Sequence, residues 1–539
     1  MPLPETARSL DLPWPPAELA KVTPKLQEWS SWYSGDVREL ELQYGHQGAV
    51  APATRPSQLS GGVRGSVARW FWGSPVAVGQ PRAKLHVPVA SDIATASADL
   101  LFSEAVAIGY PDEVPDTARD RLQLILDRNN WDSLLLEAAE VNAALGGIYL
   151  RATWDKEVEP DCPIITAVHA DAAWPEFQWG RLRAVTFWRK VDEQGETVLR
   201  HLERHEPGRI EHGLYQGTRD KLGRRVPLTD SRATAGITVD DQAGISTGFE
   251  GLTAVHVPNM RPNRAWRSDP LGSNLGRSDF AGVEPLMDAV DETWTSWMRD
   301  IRLGKGRVIV PNYMLAPGGP GRPSTFNVDQ EVFVGLGMAP SEDPGSTGST
   351  MSVQQFQIRT EEHAGTLKGL LSQIFRGAGY SGQTFGIADE ATATATEVHA
   401  RERRSITTRE KKTRYYVDGL ARFLEAVMAV DRAQFRGGIE PFRPELEFPP
   451  AAAPSQQEIA TTVQMFHAAE AISTHERVVM VHPDWDDKQI KAEVELILKE
   501  SAAKVPDFGP LPGDGNEDGE DPAAQGDIPP DPGENLPPA

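Results

Sequence analysis

At 539 residues and 59.0 kDa the chain is too long for one compact core and is expected to split into several domains or sub-domains. Its hydrophobic fraction of 39% is low, and 43 prolines with 48 glycines point to long loops and to parts that order only against partners. A formal charge of −23 speaks against wrapping duplex DNA, which draws its affinity from clustered Lys and Arg, and leaves room only for loose, sliding contact.

Taken in chain order, Glu18–Tyr33 reads as an amphipathic helix, with Leu19, Val22, Leu26, Trp29 and Tyr33 at helical spacing. Lys84–Ala90 reads as extended and runs into a capped helix over Ser91–Phe102. A helix-to-strand unit follows over Asn130–Asp155. Leu134, Leu135, Ala138, Val141 and Leu145 form its apolar face, Gly146-Gly147 supplies a left-handed stop, and Ile148–Trp154 alternates like a strand. From Ile164 to about Val257, short strand-like runs alternate with Gly- and Asp-rich turns.

Near Gly282 the pattern changes. Val283, Leu286, Val290, Trp294, Trp297 and Ile301 recur at steps of three and four, so Ser278–Gly304 is expected to be a helix of about 40 Å. A short strand, Arg307–Pro311, leads into a Gly/Pro/Ser-rich excursion through Gly348. No proline occurs between Pro344 and Pro441, the most helix-permissive stretch of the chain. Within it, Val353–Phe375 carries Phe356, His363, Leu367, Leu370, Leu371 and Ile374 on one side. Gly377, Gly379, Gly382 and Gly386 follow, then a helix of about 60 Å from Thr392 to Asp431, with Glu397–Arg401 and Glu410–Arg414 spaced for ion pairs. Helices over Ser455–Ile472 and Lys488–Ser501 precede a Pro/Gly-rich tail from Pro506, with nine acidic and no basic residues, which reads as disordered.

No stretch approaches the roughly 20 apolar residues of a membrane helix, and Met1–Pro16 lacks the basic start and apolar core of a secretory signal. Cys162 stands alone, which excludes an internal disulfide or thiolate zinc cluster and points to a reducing cytoplasm. There is no phosphate-cradling G-x-x-x-x-G-K-[ST], and Gly318–Gly321 contains proline and precedes no convincing helix. His201-Leu-Glu-Arg-His205 puts its glutamate in the wrong place for a zincin and reads as an exposed polar strand. The acids of His482–Asp487 read as a helix start, with a bound cation as second reading. Gly379–Gly382 misses the spacing of a nucleophile elbow. The basic run Arg401, Arg403, Arg404, Arg409, Lys411, Lys412 and Arg414 lies all round its helix among glutamates, so a solvated or subunit-bridging helix is preferred to a DNA-binding stripe. No catalytic constellation, metal site or cofactor site emerges.

The order of elements from Trp14 to Ser501 resembles the tailed double-stranded DNA phage portal proteins, in the family typified by siphophages of Gram-positive hosts. The likeness is carried by Lys84–Val89 with Ala98–Phe102, Ala144–Arg151 with Trp154-Asp155, Ala170–Glu176, Leu286–Val290 running to Arg307–Pro311, and Ala393–Val398 with Arg401–Tyr416. The resemblance implies an α+β portal fold and a ring homo-oligomer, usually of twelve subunits, at one capsid vertex. Residues 1–277 would form a β-rich wing, 278–304 and 353–378 the stem helices, and 305–352 a small β-containing clip. A tunnel loop would span 379–392, a long wing helix 393–440 and a helical crown 441–505, ahead of the acidic tail 506–539. Tyr380, Gln383, Thr384 and Phe385 would narrow the channel. Lys305, Arg307 and Arg322 would touch DNA transiently, and Leu286, Val290, Trp294, Trp297, Leu367 and Leu371 would pack the stem. The implied partners are the terminase large subunit, head-completion or adaptor proteins, scaffold and major capsid protein, and transient non-specific double-stranded DNA, in a virion assembled in the host cytoplasm. The alternatives are another virion structural protein, such as a minor head or adaptor protein, and a metal-dependent hydrolase or nuclease with a dispersed acidic site.

Overall fold

The computed structural model describes residues 3–5, 9–45, 85–111, 113–241, 243–303, 307–309, 352–354, 358–387, 395–435, 439–449, 456–482, 485 and 487–503. The acidic tail and most of 305–352 lie outside them. The chain divides into two compact units, Met1–Ala451 and Ala452–Ala539.

The first unit opens with a short 3-10 turn, Ala17–Leu19, and then helix α1, Thr23–Ser34, in place of the single helix expected over Glu18–Tyr33. Pro24 explains the break: without an N–H it fits only the first turn of a helix, so the helix starts there. The apolar spacing still delivers Leu19, Val22, Leu26 and Trp29 to the core. Helix α2 covers Val37–Gly45 and α3 covers Val89–Phe102. Residues 85–88 are not a strand. The N–H groups of Leu85 and Val87 donate instead to Thr295 Oγ1 (2.9 Å) and Asp291 Oδ1 (2.8 Å) on a distant helix.

Strand β1, Ala107–Gly109, leads to α4, Asp116–Arg128, which has no counterpart among the expected elements, and then to α5, Trp131–Leu145. Gly146 ends α5 in the left-handed region at φ 79° and turns the chain directly into β2, Gly147–Thr153. That strand does not alternate between core and solvent. It is the middle of an antiparallel sheet with β3, Ile164–His169, and β10, Ala254–Pro258, and is covered on both faces. Ile148 and Leu150 join the larger core, whereas Tyr149 faces Ala173, Val185 and Phe187 of a second sheet.

The second sheet consists of β4, Ala173–Gln178; β5, Arg181–Gln194; β6, Thr197–Glu206; β7, Arg209–Gly217; and β8, Arg224–Val226, with β9, Gly244–Ser246, paired to β7. Three of these strands are longer than the short runs expected. The polar segment on β6 is not exposed: His201, Glu203, Arg204 and His205 are all buried.

Helix α6 covers Glu284–Leu303, β11 Arg307–Ile309, β12 Ser352–Gln354 and α7 Thr360–Ala378. Both helices start later than expected: residues before 284 form turns, with Gly282 at φ 94°, and 352–354 pair as a strand with 307–309. Helix α8, Ala395–Phe435, has 41 residues and runs about 60 Å. Its Tyr416, Leu420, Phe423, Leu424 and Val427 pack against α4, α5 and the first sheet to make the larger core, while a second core joins α1, α3, α6 and α7. Strand β13, Glu445–Glu447, pairs with β1, so residues 441–451 belong with this unit and not with the helices that follow.

The second unit contains α9, Gln456–Ala468; α10, Thr474–Val481; and α11, Asp487–Ala503. Two helices were expected here. The third, α10, begins at an N-cap, in which Ser473 Oγ accepts from the Glu476 N–H at 3.1 Å, in a sequence with capping-box spacing.

A Cβ at residue 146 would lie 2.7 Å from the Arg277 carbonyl carbon, in a backbone conformation that L side chains rarely adopt. Gly146→Ala is therefore expected to lose about 2 kcal/mol or more of stability. A urea midpoint equal to the parent's would contradict this.

Candidate functional site at the root of a helical hairpin

Helices α6 and α7 pack antiparallel. At one end Asp300 accepts from Arg359 Nη2 at 2.8 Å and lies 3.1 Å from His363 Nε2, while Trp297 stacks on His363 with ring planes 10° apart. The His363 hydrogen bond, followed by Arg359, holds the Asp300 carboxyl below its ordinary pKa. At the other end Val283 lies against Gly377. Between the ends, Leu286, Val290, Trp294, Trp297, Leu367 and Leu371 fall into one packed cluster. Beyond the helices the β11–β12 pair continues the hairpin, Arg307 opposite Gln354. Lys305 and Arg322 lie outside the described residues, and Arg307 is described through its backbone.

The root of the hairpin is built round Asp279, five residues before α6. Its Oδ2 accepts from Lys412 Nζ on α8 at 2.5 Å and from Tyr380 Oη at 2.7 Å, and its Oδ1 from Asn259 Nδ2 at 2.8 Å. Lys412 also donates to Ser97 Oγ on α3 at 2.6 Å. Asp279 and Lys412 side chains are each 1% exposed. Burial draws the Lys412 pKa down against the pull of the Asp279 carboxylate, and burial pushes the Tyr380 hydroxyl well up.

Local chain geometry brings Tyr380 there. Gly379 ends α7 at φ 97°, and the Tyr380 N–H reaches back to the Phe375 carbonyl at 2.9 Å, which reverses the chain and turns the tyrosine inward. The segment that follows is fastened to α8. Thr408 Oγ1 donates to the Gly379 carbonyl (2.6 Å), the Ser381 N–H to Ser405 Oγ (2.9 Å), and Thr384 Oγ1 lies 2.8 Å from Ser405 Oγ. Phe385 stacks on Phe375 with ring centres 3.9 Å apart.

Of the four residues expected at a loop tip, Tyr380 is thus a core residue, and Gln383, Thr384 and Phe385 sit half-buried in a 3-10 turn, Gly382–Phe385. The rest of the expected loop, 388–392, lies outside the described residues. The basic run on α8 is also divided. Arg403, Lys411 and Arg414 are exposed, but Lys412 is buried, and Arg409 donates to the carbonyls of Leu100 and Pro449. The Glu410–Arg414 pair is not among the described ion pairs; Asp418 takes Arg422 and Arg443 instead.

The histidines of β6 form a separate buried cluster. His201 Nε2 lies 3.2 Å from His212 Nδ1, and His205 bridges Thr253 Oγ1 (2.7 Å) and Glu203 (2.8 Å). Burial opposes the charge on Glu203, but Arg151 at 2.6 Å and His205 overturn it and hold the carboxyl far below its usual range. Among the described residues no group of three or more ligating side chains could hold a metal ion. Burial lowers the His201 pKa to about 4 and that of His256, stacked on Tyr149, to about 3.

Residues 17–507 match the model of a family described as phage portal protein, SPP1 Gp6-like. No curated protein matches the chain. Among solved structures, the chain is similar at 14% identity to one from the neck of a native gene transfer agent particle, covering 73% of this chain and 89% of that one, with a TM-score of 0.36. A chain from the virion of a native gene transfer agent particle is similar at 14% identity, over 78% of this chain and 99% of that one, with a TM-score of 0.34.

Lys412→Met strands the Asp279 carboxylate in the core and is expected to cost about 3–5 kcal/mol, with much of the loss recovered in Lys412→Met/Asp279→Asn. Urea unfolding of the three proteins measures it, and additive losses would contradict it. Between pH 6.5 and about 4 the unfolded chain takes up protons on His201 and His256 that the folded chain resists. Stability is therefore expected to fall as pH falls through that window, by about 1.4 kcal/mol per unit for each histidine. His256→Leu should flatten the slope of urea midpoint against pH, and an unchanged slope would count against it.

Proposed function

The chain belongs to the SPP1 Gp6-like family of phage portal proteins, and from that premise we propose that it forms a ring at one capsid vertex through which DNA is packaged and ejected. The family is a structural one, and the protein is a virion component. The observation that carries the channel reading is the antiparallel α6–α7 hairpin, extended by the β11–β12 pair and rooted on α8 through Asp279, Lys412 and Tyr380.

In this reading α6 and α7 are the stem, and 305–352 is the clip that docks the terminase large subunit during packaging and head-completion or adaptor proteins afterwards. The first unit up to residue 277 and helix α8 form the wing, and the three helices of the second unit form the crown. The tunnel loop is confined to the part of 379–392 that follows the turn at Phe385. Scaffold and major capsid protein surround the ring during assembly. A chain of net charge −23 suits a DNA conduit, because like charge keeps phosphates from lodging at fixed sites.

Twelve copies of 59.0 kDa give a particle of about 708 kDa. Light scattering with negative-stain imaging should find that mass and a flanged cylinder with a central hole. A persistent monomer or dimer, even with the scaffold present, would overturn the reading. Replacing Lys305, Arg307 and Arg322 together by Ala is expected to lower DNA retention in filled heads without disturbing the ring. Retention equal to the parent's would remove those residues from the DNA path.

A further inference from the structure

The loop joining β4 to β5 is two residues long, Trp179 and Gly180, with Gln178 paired to Arg181. Both loop residues have positive φ, 52° and 74°, the twist that a tight antiparallel hairpin needs. Asn, Asp or Gly ordinarily fills the first position, because a bulky side chain is strained there. Here it holds a tryptophan that is 94% exposed. A large aromatic group held in a strained turn and left in water is costly twice over, and such a cost persists where a partner uses it. Arg181 and Arg183, both exposed, stand beside it.

Elsewhere in the same unit α1, α5, β2 and β3 surround an open cavity of about 490 Å³. Leu134, Ala138, Val141 and Ala167 line it, together with Glu137 and Glu140. That volume lies within the range of pockets that take drug-sized molecules and is more than enough to admit one indole side chain. The chain's own Trp179, being exposed, does not fill it. The two features are complementary: an aromatic ring beside arginines, and a mixed apolar and polar cavity beside two carboxylates, of which Glu140 also accepts from Tyr33 Oη at 2.7 Å. A contact between unlike patches of identical chains is head-to-tail, the kind that forms a ring when its rotation closes.

We propose that Trp179 of one copy inserts into this cavity on the adjacent copy, with Arg181 and Arg183 facing Glu137 and Glu140 of that neighbour. The contact rests on the ring reading above and names the two surfaces that meet in it. A buried tryptophan of this kind anchors an interface far out of proportion to its area.

Cys162, the chain's one cysteine, is buried, so an introduced pair reports cleanly. Rings of the full chain carrying Gln178→Cys and Glu137→Cys should give, on oxidation, a ladder of covalent oligomers on a denaturing gel, and neither single variant should. Trp179→Ala should lower ring yield at fixed concentration at least about tenfold, with monomer melting unchanged. Intact rings in Trp179→Ala without a ladder in the double variant overturn the contact and leave the ring standing. A cross-link confined within monomers also overturns it. A parent chain that never leaves the monomer overturns the ring reading and this contact together.

Discussion

The Asp279 carboxylate is the point through which most of the first unit is tied together. Its oxygens take hydrogen bonds from Lys412 on α8, Tyr380 after α7 and Asn259 after β10, and its own N–H donates to the Ala143 carbonyl near the end of α5 at 2.9 Å. Lys412 adds α3 through Ser97. Removing a carboxylate and an ammonium from water costs several kcal/mol each, so the pair adds little net stability over a well-packed apolar pair. What it supplies is position. A charge in the core tolerates no slippage of its partners, because every displaced hydrogen bond leaves a desolvated group unmet.

Helix endings do as much as helix lengths to set the geometry around that point. Gly146 and Gly379 both stop a helix in the left-handed region. The first stop hands the chain to β2, whose two faces serve two different cores. The second turns Tyr380 inward towards Asp279 and fastens Ser381 and Thr384 to Ser405 of α8. The hairpin is thus closed at one end by a buried ion pair and at the other by Asp300 with Arg359 and His363. The apolar stripe between them, from Leu286 to Trp297, only has to fill space.

Apolar spacing at steps of three and four was enough to read α6 and α7, and the proline-free stretch with charges four apart was enough for α8, because each is local information. The left-handed stop at Gly146 was legible for the same reason. The fate of charged and polar residues was not. Lys412 lies among Arg409, Glu410 and Lys411 and looks solvated, since nothing within its own helix marks the carboxylate 133 positions away. His201, Glu203 and His205 look like an exposed strand because the partners that make their burial tolerable, His212, Arg151 and Thr253, lie on other strands or loops. Tyr380 looked like a loop tip because four nearby glycines suggest mobility, whereas Gly379 in fact serves a helix stop. The capping-box spacing at Ser473 was local and available, and it marks the one helix of the second unit that apolar spacing did not.

Helix α8 also has a mechanical meaning. It is a rod of about 60 Å, bonded ahead of its midpoint to the hairpin root through Thr408 and Lys412 and near its end to α4, where Arg121 grips Asp431 with two hydrogen bonds of 2.6 and 3.0 Å. Over the roughly 30 Å between Lys412 and Asp431, a tilt of one degree at one bonded point moves the other by about 0.5 Å. Its middle is locked into the larger core, so it cannot pivot alone without tearing apolar contacts along Tyr416–Val427. A displacement of the hairpin root is therefore expected to reach α4 and the larger core together, because the helix between them cannot absorb it.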